Sequence, residues 1–238
     1  MNRRRGWGLF RKVALYFAVI IGGVLAFRQG LIPPQYSPLP AIVVERPFPL
    51  VVDWQLKELS TSRDLCRGLV STKHVTGRQV ADKSTGAGCG WTNAIQMSRV
   101  GGVRYPASRM NCSVAGALAL WIENVVQPAA LEMFQRRVIA MRQMGVYNCR
   151  NIIGARFWGN RRSQHATANA ADVGGFTLEG GERISVRRHW NTRGQKARFL
   201  RRVHRGACQF FRVALSPEFN RAHHDHFHFD RGPFWRCK

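Results

Sequence analysis

The fold prediction starts from the stretch HHDHFHFD, residues His223–Asp230, close to the C-terminus of a 238-residue chain. In a β-strand alternate side chains share a face, so His226 and His228 point one way while Phe227 and Phe229 point the other. Two phenylalanines on one face predict a strand anchored in an apolar core. The opposite face then presents two imidazoles to whatever lies across from it, with Asp230 on the same side.

The sequence pattern predicts mainly strands in the second half of the chain, which contains this strand, and helices in the first half. The expected strands are GVYNCRNI (145–152), AADVGGFTL (170–178), RISVRRHW (183–190), CQFFRVAL (208–215) and DHFHFD (225–230), with one helix within 191–206. Leucines at near-helical spacing indicate helix over 53–70, and the apolar run from Ser113 indicates one helix before Pro128 and a second over Ala129–Met144. Helices followed by a small, mainly antiparallel sheet indicate an α+β fold.

The N-terminal region reads as a membrane segment followed by a spacer. A basic tip precedes fifteen uncharged, mostly apolar residues, Val13–Phe27, and six of the ten prolines lie between residues 33 and 49. No convincing cleavage site follows, so an uncleaved signal anchor is favoured over a removed signal peptide. The predicted organisation is a cytoplasmic tip with a transmembrane helix (1–28), a Pro-rich linker (29–52) and an exported domain (53–238).

Six cysteines, all beyond the apolar segment, agree with export into an oxidising compartment. Their even number predicts three disulfides, although six cysteines allow about 15 pairings. The working hypothesis joins sequential neighbours, namely Cys66–Cys89, Cys112–Cys149 and Cys208–Cys237.

Positive charge dominates the chain, with 37 Lys and Arg against 13 Asp and Glu. Between Arg183 and Arg212 ten basic residues occur without an acidic one. Such a face attracts polyanions, and export favours anionic envelope polymers or lipid over nucleic acid. A solvated arginine-rich surface without a dedicated partner is the alternative.

The histidine-rich strand has a second chemical signal upstream. In RRSQHATANAADVGGF, residues 161–176, only small side chains separate His165 from Asp172. A catalytic zinc site needs three nitrogen or oxygen ligands and an open position, and His165, Asp172 and one strand histidine would make that set. Arg150 lies shortly before this stretch, where it could clamp a substrate carboxylate. A histidine-rich surface strand and one more surface arginine are the alternatives.

Taken in order, these motifs resemble zinc peptidases that share the fold of lysostaphin, D-alanyl-D-alanine metallopeptidases and the hedgehog signalling domain. SQHATANAAD resembles the S-x-H-x-x-G-x-A-x-D motif, and HHDHFH resembles the H-x-D-H-F-H run of penicillin-insensitive murein endopeptidases. The chain from about Leu59 to Cys237 is most similar to the bacterial extensin-like C-terminal domain family, through YNCR, FLRRVHRGACQFF, LSPEFN and the two motifs above.

The resemblance implies a zinc ion held by His165, Asp172 and His228. It implies that His226 acts as general base or stabilises the oxyanion, with His223 as the other candidate base. Arg150 would hold the substrate carboxylate.

The implied activity is hydrolysis of D-amino-acid-containing peptide bonds in peptidoglycan on the extracytoplasmic side of the membrane. The alternative is a cell-wall-binding or scaffolding module with a structural or vestigial metal site. One departure bears on this choice, because Ala168 replaces the glycine of H-x-x-G. If that position needs a positive φ, alanine strains the turn.

Overall fold

The computed structural model describes residues 3–29, 36, 40–153 and 159–238. The chain divides into two compact units, Met1–Pro40 and Ala41–Lys238. Most of the predicted Pro-rich linker up to residue 39 lies outside the described residues. Residues 41–51 belong to the second unit, where Val44 is buried.

The first unit contains one long helix, α1 (Arg3–Gln29), of 27 residues. Most of the apolar side chains of α1 that the structure describes are exposed, including Phe10, Tyr16 and Val19. At about 1.5 Å per residue, a helix of this length is about 40 Å long and could cross a bilayer core of about 30 Å. The membrane anchor itself stays a prediction.

The second unit is a mixed α+β domain. Its helices are α2 (Val52–Thr61), α3 (Arg63–Val70), α4 (Cys112–Trp121), α5 (Gln127–Phe134), α6 (Val186–His189) and α7 (Gln195–Ala207). Its strands are β1 (Val75–Gln79), β2 (Lys83–Gly86), β3 (Cys89–Trp91), β4 (Ala94–Val100), β5 (Val103–Asn111), β6 (Val138–Gly145), β7 (Ala170–Leu178), β8 (Arg183–Ser185), β9 (Val213–Leu215), β10 (Phe227–Asp230) and β11 (Arg236–Cys237).

The large sheet has nine strands. Eight of them follow the order β1-β4-β5-β6-β7-β10-β9-β11, and the ninth, β8, pairs with β7 next to β10. It is mainly antiparallel, as predicted, with parallel pairs only between β5 and β6 and between β9 and β11. The expectation of a small sheet was wrong. Strands β1, β4 and β5 lie between residues 75 and 111, a region for which the sequence predicts no strand.

The predicted helix break at Pro128 is also wrong. Helices α4 and α5 are joined by a π-helical turn, Ile122–Val126, into one continuous helix. At that turn the Gln127 N–H bonds to the carbonyl of Ile122, so the chain continues through Pro128. The helix ends at Phe134, where Gln135 takes a left-handed φ of 53°. Residues 138–144, predicted as helix, belong to β6 because β5 and β7 pair with the two edges of this strand.

The continuous helix, Cys112–Phe134, is the centre of the core. It is long and apolar enough to span a membrane, yet most of its surface is buried inside the second unit. Trp121 packs against Phe229 of β10, with ring centroids 5.0 Å apart, and its indole N–H donates to the carbonyl of Val203 on α7. The phenylalanine face of β10 is therefore fixed against this helix, as its alternation predicted.

Three disulfides are present, and only one pairing was predicted correctly. Cys208–Cys237 ties the end of α7 to β11, as expected. The other pairs are Cys66–Cys112 and Cys89–Cys149, which cross in the sequence and make the sequential-neighbour hypothesis wrong. The hypothesis fails because the sequence did not predict strands β1–β5, which lie between α3 and α4. These strands bring α3 to the start of α4 and the β2–β3 hairpin to the loop after β6.

A partly buried ion cluster joins α2 to the residues next to β9 and β10. The carboxylate of Asp53 accepts two hydrogen bonds from Arg212, at 3.0 and 2.7 Å, and lies 2.7 Å from Nη1 of Arg231. Burial opposes ionisation of Asp53, but the two guanidinium groups outweigh it and lower its pKa. Removal of the carboxylate would leave the Arg231 side chain, which is 3% exposed, without its counter-ion.

We predict that Asp53→Asn lowers the free energy of unfolding by about 3 kcal/mol, because a buried charge is left unpaired. Urea denaturation of the full chain in mild detergent measures this. The matched control is Asp64→Asn, since Asp64 forms an exposed pair with Arg67; its effect should lie within experimental error. Equal effects from the two substitutions would contradict a stabilising role of the cluster.

Candidate metal centre

Two adjacent strands bring an acidic and a basic side chain face to face. In the antiparallel pair of β7 and β10, His228 lies directly opposite Asp172. Cross-strand partners of this kind have Cβ atoms about 5 Å apart and point to the same face. Because Phe227 and Phe229 occupy the core face, His228 projects away from the core together with Asp172.

His165 reaches the same point from a short turn before β7. The 3₁₀ turn Gln164–Thr167 begins at Ser163, whose hydroxyl accepts a hydrogen bond from the His165 N–H. Nε2 of His165 lies 3.1 Å from Nδ1 of His228 and 3.2 Å from Oδ2 of Asp172. Nδ1 of His228 lies 3.0 Å from Oδ1 of Asp172. The three predicted ligand side chains thus converge, and all three are buried.

Each histidine has its other ring nitrogen engaged. Nδ1 of His165 lies 3.0 Å from the carbonyl oxygen of Val146, and Nε2 of His228 lies 3.0 Å from Oδ2 of Asp230. When the outer nitrogen carries the proton, each inner nitrogen could present its lone pair to a metal ion, as is typical of metal-binding histidines. Neither acceptor is predicted from the sequence as part of the site, although strand alternation places Asp230 on the histidine face.

The donor set fits a divalent transition metal. Two imidazole nitrogens and a carboxylate oxygen are ligands that zinc accepts, and tetrahedral coordination at about 2.0–2.1 Å places ligand atoms about 3.3 Å apart. The observed separations of 3.0–3.2 Å are close to that value. The group could therefore hold a metal ion, and nothing in it identifies the metal.

The carboxylates of Asp172 and Asp230 determine whether the cluster holds a proton. Burial disfavours the charged form of Asp172, but hydrogen bonds from His165 and His228 outweigh it and hold the pKa of Asp172 far below its usual range. Burial likewise opposes protonation of His228, yet Asp172 and Asp230 together raise its pKa to about 9. In the metal-free protein a proton on His228 thus neutralises Asp172 where a metal ion would otherwise do so.

Two further histidines of the run lie next to this group. His226, just before β10, has Nε2 at 3.6 Å from Oδ1 of Asp172 and Nδ1 at 2.8 Å from Oδ1 of Asp225. His223 reaches the site from the preceding loop, with its ring centroid 5.5 Å from that of His228. Its Nδ1 lies 2.7 Å from Oδ1 of Asn220.

The surroundings of the two candidate bases differ. Burial, reinforced by neighbouring histidines, lowers the pKa of His223 to about 4, so this ring stays neutral near pH 7. His226 instead has the carboxylate of Asp225 at 2.8 Å from its Nδ1, a contact that orients the ring. Asp225 is not predicted from the sequence as part of the site, although it immediately precedes His226. His224 is 59% exposed and lies apart from the cluster.

The three ligands, His223 and His226 open into one cavity of about 740 Å³. Arg150 lines this cavity, as does Arg161, and the apolar part of the wall includes Leu215, Phe219 and Trp235. The structure therefore brings every predicted site residue to one cleft. The roles assigned to those residues stay predictions.

Ala168 adopts the conformation that the glycine of the motif would favour. Its φ of 53° and ψ of 27° are left-handed, and its side chain is fully buried against Trp91 and Ala94. A left-handed alanine costs about 1–2 kcal/mol, which burial of the methyl group offsets in part. The substitution leaves the three ligand side chains convergent.

The sequence profile described as extensin-like protein C-terminus matches residues 64–238. No curated protein and no solved structure matches the chain.

We predict that metal binding at this site releases a proton. Because the pKa of His228 is about 9 in the metal-free protein, the ion must displace a proton below that pH. The apparent zinc affinity should therefore rise about tenfold per pH unit between about pH 6.5 and 8.5. Competition with a chromogenic chelator measures this slope.

The matched control is Asp230→Asn, which keeps the shape of the side chain but removes one carboxylate that raises the pKa of His228. It should flatten the pH dependence. An affinity that does not change with pH in the unsubstituted chain would contradict a His228 ligand.

Proposed function

The chain belongs to the extensin-like protein C-terminus family, and from this premise and the geometry of the cleft we propose that it is a zinc-dependent amide hydrolase. Its proposed substrates are the D-amino-acid-containing peptides of peptidoglycan. The observation that carries the proposal is the convergence of His165, Asp172 and His228 at an open cavity, with His226 beside them.

This arrangement suits a catalytic rather than a structural ion. Structural zinc sites are closed by four protein ligands and are usually rich in cysteine, whereas catalytic sites keep a position open. All six cysteines of this chain form disulfides. The three ligand side chains border a cavity large enough to admit a peptide segment.

A zinc ion bound here would supply Lewis-acid activation of water and of the scissile carbonyl. His226 is assigned as the proton acceptor, because Asp225 holds its Nδ1 and its Nε2 faces the cluster. The same ring would return the proton to the leaving amine. His223, kept neutral by burial, is assigned to positioning rather than to proton transfer.

Arg150 is assigned to the substrate carboxylate. Arg150 lines the same cleft as the cluster, and its guanidinium donates to the backbone carbonyl of Asn151, which restrains its position. Arg161 and Arg236 line the same cavity. A cleft of this charge favours peptides that carry free carboxylates, as peptidoglycan stem peptides do.

The proposed location is the outer face of the cytoplasmic membrane. Helix α1 would be the anchor and the disulfides would form in an oxidising compartment. The basic residues around α6 and α7, including Arg187, Arg198 and Arg202, are exposed and would attract the anionic envelope.

We predict that the full chain in mild detergent, loaded with zinc, converts cross-linked muropeptide dimers to monomers and that a chelator stops the reaction. His226→Ala should lower kcat at least about 100-fold because the proton acceptor is lost, while zinc stays bound. The matched control is His224→Ala, which removes an exposed histidine of the same run and should leave kcat unchanged. Chromatography of the digests measures each rate.

Two outcomes would contradict the proposal. Dimers that bind the zinc-loaded chain but persist in every condition would indicate a wall-binding module instead. Equal losses from the two histidine substitutions would remove His226 from the proposed mechanism.

We further predict that Arg150→Gln raises KM about tenfold for a peptide ending in a free D-amino-acid carboxylate, because a charge-assisted pair is lost. The same peptide with an amidated terminus is the control, and its KM should not change. An equal rise for both peptides would place the substrate carboxylate elsewhere in the cleft.

A further inference from the structure

A second cationic position in the cleft is Arg236, an exposed residue of β11. Its guanidinium lies over the ring of Phe219, with Cζ 5.6 Å from the ring centroid. Within the part of the chain that the structure describes, its side chain forms no hydrogen bond or ion pair. A guanidinium offers about five N–H donors. The ring contact therefore holds the cation in place while its donors stay available to a ligand.

A row of ring contacts connects Arg236 to the candidate metal centre. The ring centroid of Phe219 lies 5.5 Å from that of His223, which in turn lies 5.5 Å from that of His228. Aromatic rings at this separation stabilise one another. All four side chains line the same cleft, so this row forms one of its walls and fixes Arg236 relative to the metal ligands.

The strand register gives the distance between Arg236 and the ligands. Asp230, Val213 and Arg236 are direct partners on β10, β9 and β11, so Arg236 is two strands and two residues away from His228. With strands about 4.8 Å apart and a rise of about 3.4 Å per residue, the two Cα atoms are about 12 Å apart. An extended peptide covers this distance with about three residues. Val213 and Leu215 supply an apolar lining along the way.

Arg150 and Arg236 lie on opposite sides of the candidate metal centre. Arg150 follows β6, and its carbonyl accepts a hydrogen bond from the N–H of Ser163, where the turn of His165 begins. Strand β6 borders β7, whereas β11 lies beyond β9 on the far side of β10. A peptide that crosses the strands would therefore meet a cation at each end of its path, with the ligand cluster between them.

We propose that Arg236 is a specificity-determining residue that binds a second carboxylate of the substrate. This inference rests on the proposed function, in which Arg150 holds the free carboxylate on the leaving side of the cleaved bond. Arg236 then serves the acyl side. The preferred substrates are peptides with an acidic residue at about the third position before that bond.

The carboxylate of Asp230, which shares the register row of Arg236, does not compete with such a ligand. Its Oδ2 lies 3.0 Å from Nε2 of His228, and its Oδ1 accepts a hydrogen bond from the N–H of Gly232 at 2.8 Å. Both oxygens are thus engaged at β10, and the positive charge on β11 is left for the substrate.

The test is isothermal titration of two pentapeptides into the metal-free full chain in non-ionic detergent, at constant ionic strength. Both peptides end in a free D-residue carboxylate, and they differ only at their second residue, which is glutamate in one and glutamine in the other. The glutamate peptide should bind about fivefold more tightly, because it gains one exposed charge-assisted contact. Since no metal is present, this result does not depend on hydrolysis.

Arg236→Gln should bind the two peptides with equal affinity, since the cation that distinguishes them is lost. The matched control is Arg187→Gln, which removes the same charge from an exposed residue of α6 that does not line the cleft. It should keep the difference of about fivefold, because distant exposed charges are screened. Thermal melting of both variants shows that they are folded.

The proposal is overturned if the unsubstituted chain binds both peptides equally, or binds neither saturably up to about 10 mM. It is also overturned if the difference survives Arg236→Gln, or if Arg187→Gln abolishes it to the same extent. A zinc-loaded sample assayed with the glutamate peptide separates the two proposals. Binding as expected without release of the last residue would contradict the hydrolysis and support the carboxylate site.

Discussion

The candidate site depends on one cross-strand pair. His228 and Asp172 stand opposite each other on β10 and β7, and this pairing is possible only because the phenylalanines of β10 are buried on the other face against Trp121. A shift of one residue would turn the histidines into the core and the phenylalanines into the cleft. Packing of the helix against the sheet therefore sets the register that assembles the site.

The free-energy cost of burying these polar side chains bears on the role of the cluster. Burial of two imidazoles and a carboxylate is expensive unless each polar atom is satisfied. Here Asp230 and Val146 satisfy the outer nitrogens, and the inner nitrogens and Asp172 satisfy one another through a shared proton. A buried polar cluster of this kind stabilises the fold no better than apolar side chains would. Its presence is therefore better explained by binding of a ligand that takes the place of the shared proton.

The alternation of histidine and phenylalanine was enough to predict β10 and which side chains share its faces. The small residues between His165 and Asp172 likewise indicated a tight path into β7. Sequence alone did not reveal β6, because its helical pattern is overridden by pairing on both edges. The disulfide pairing and the partners Val146 and Asn220 were also missed, since they depend on loops that meet only after the sheet has formed.

We propose that His165, Asp172 and His228 bind one metal ion and leave a coordination position open toward the cleft. Crystallography of the zinc-loaded full chain, with anomalous diffraction at the zinc edge, tests this proposal most directly. We expect a single zinc peak bonded to Nε2 of His165, Nδ1 of His228 and the carboxylate of Asp172, with a non-protein ligand on the side of His226. A peak at the exposed His224, or an ion enclosed by four protein ligands, would contradict it.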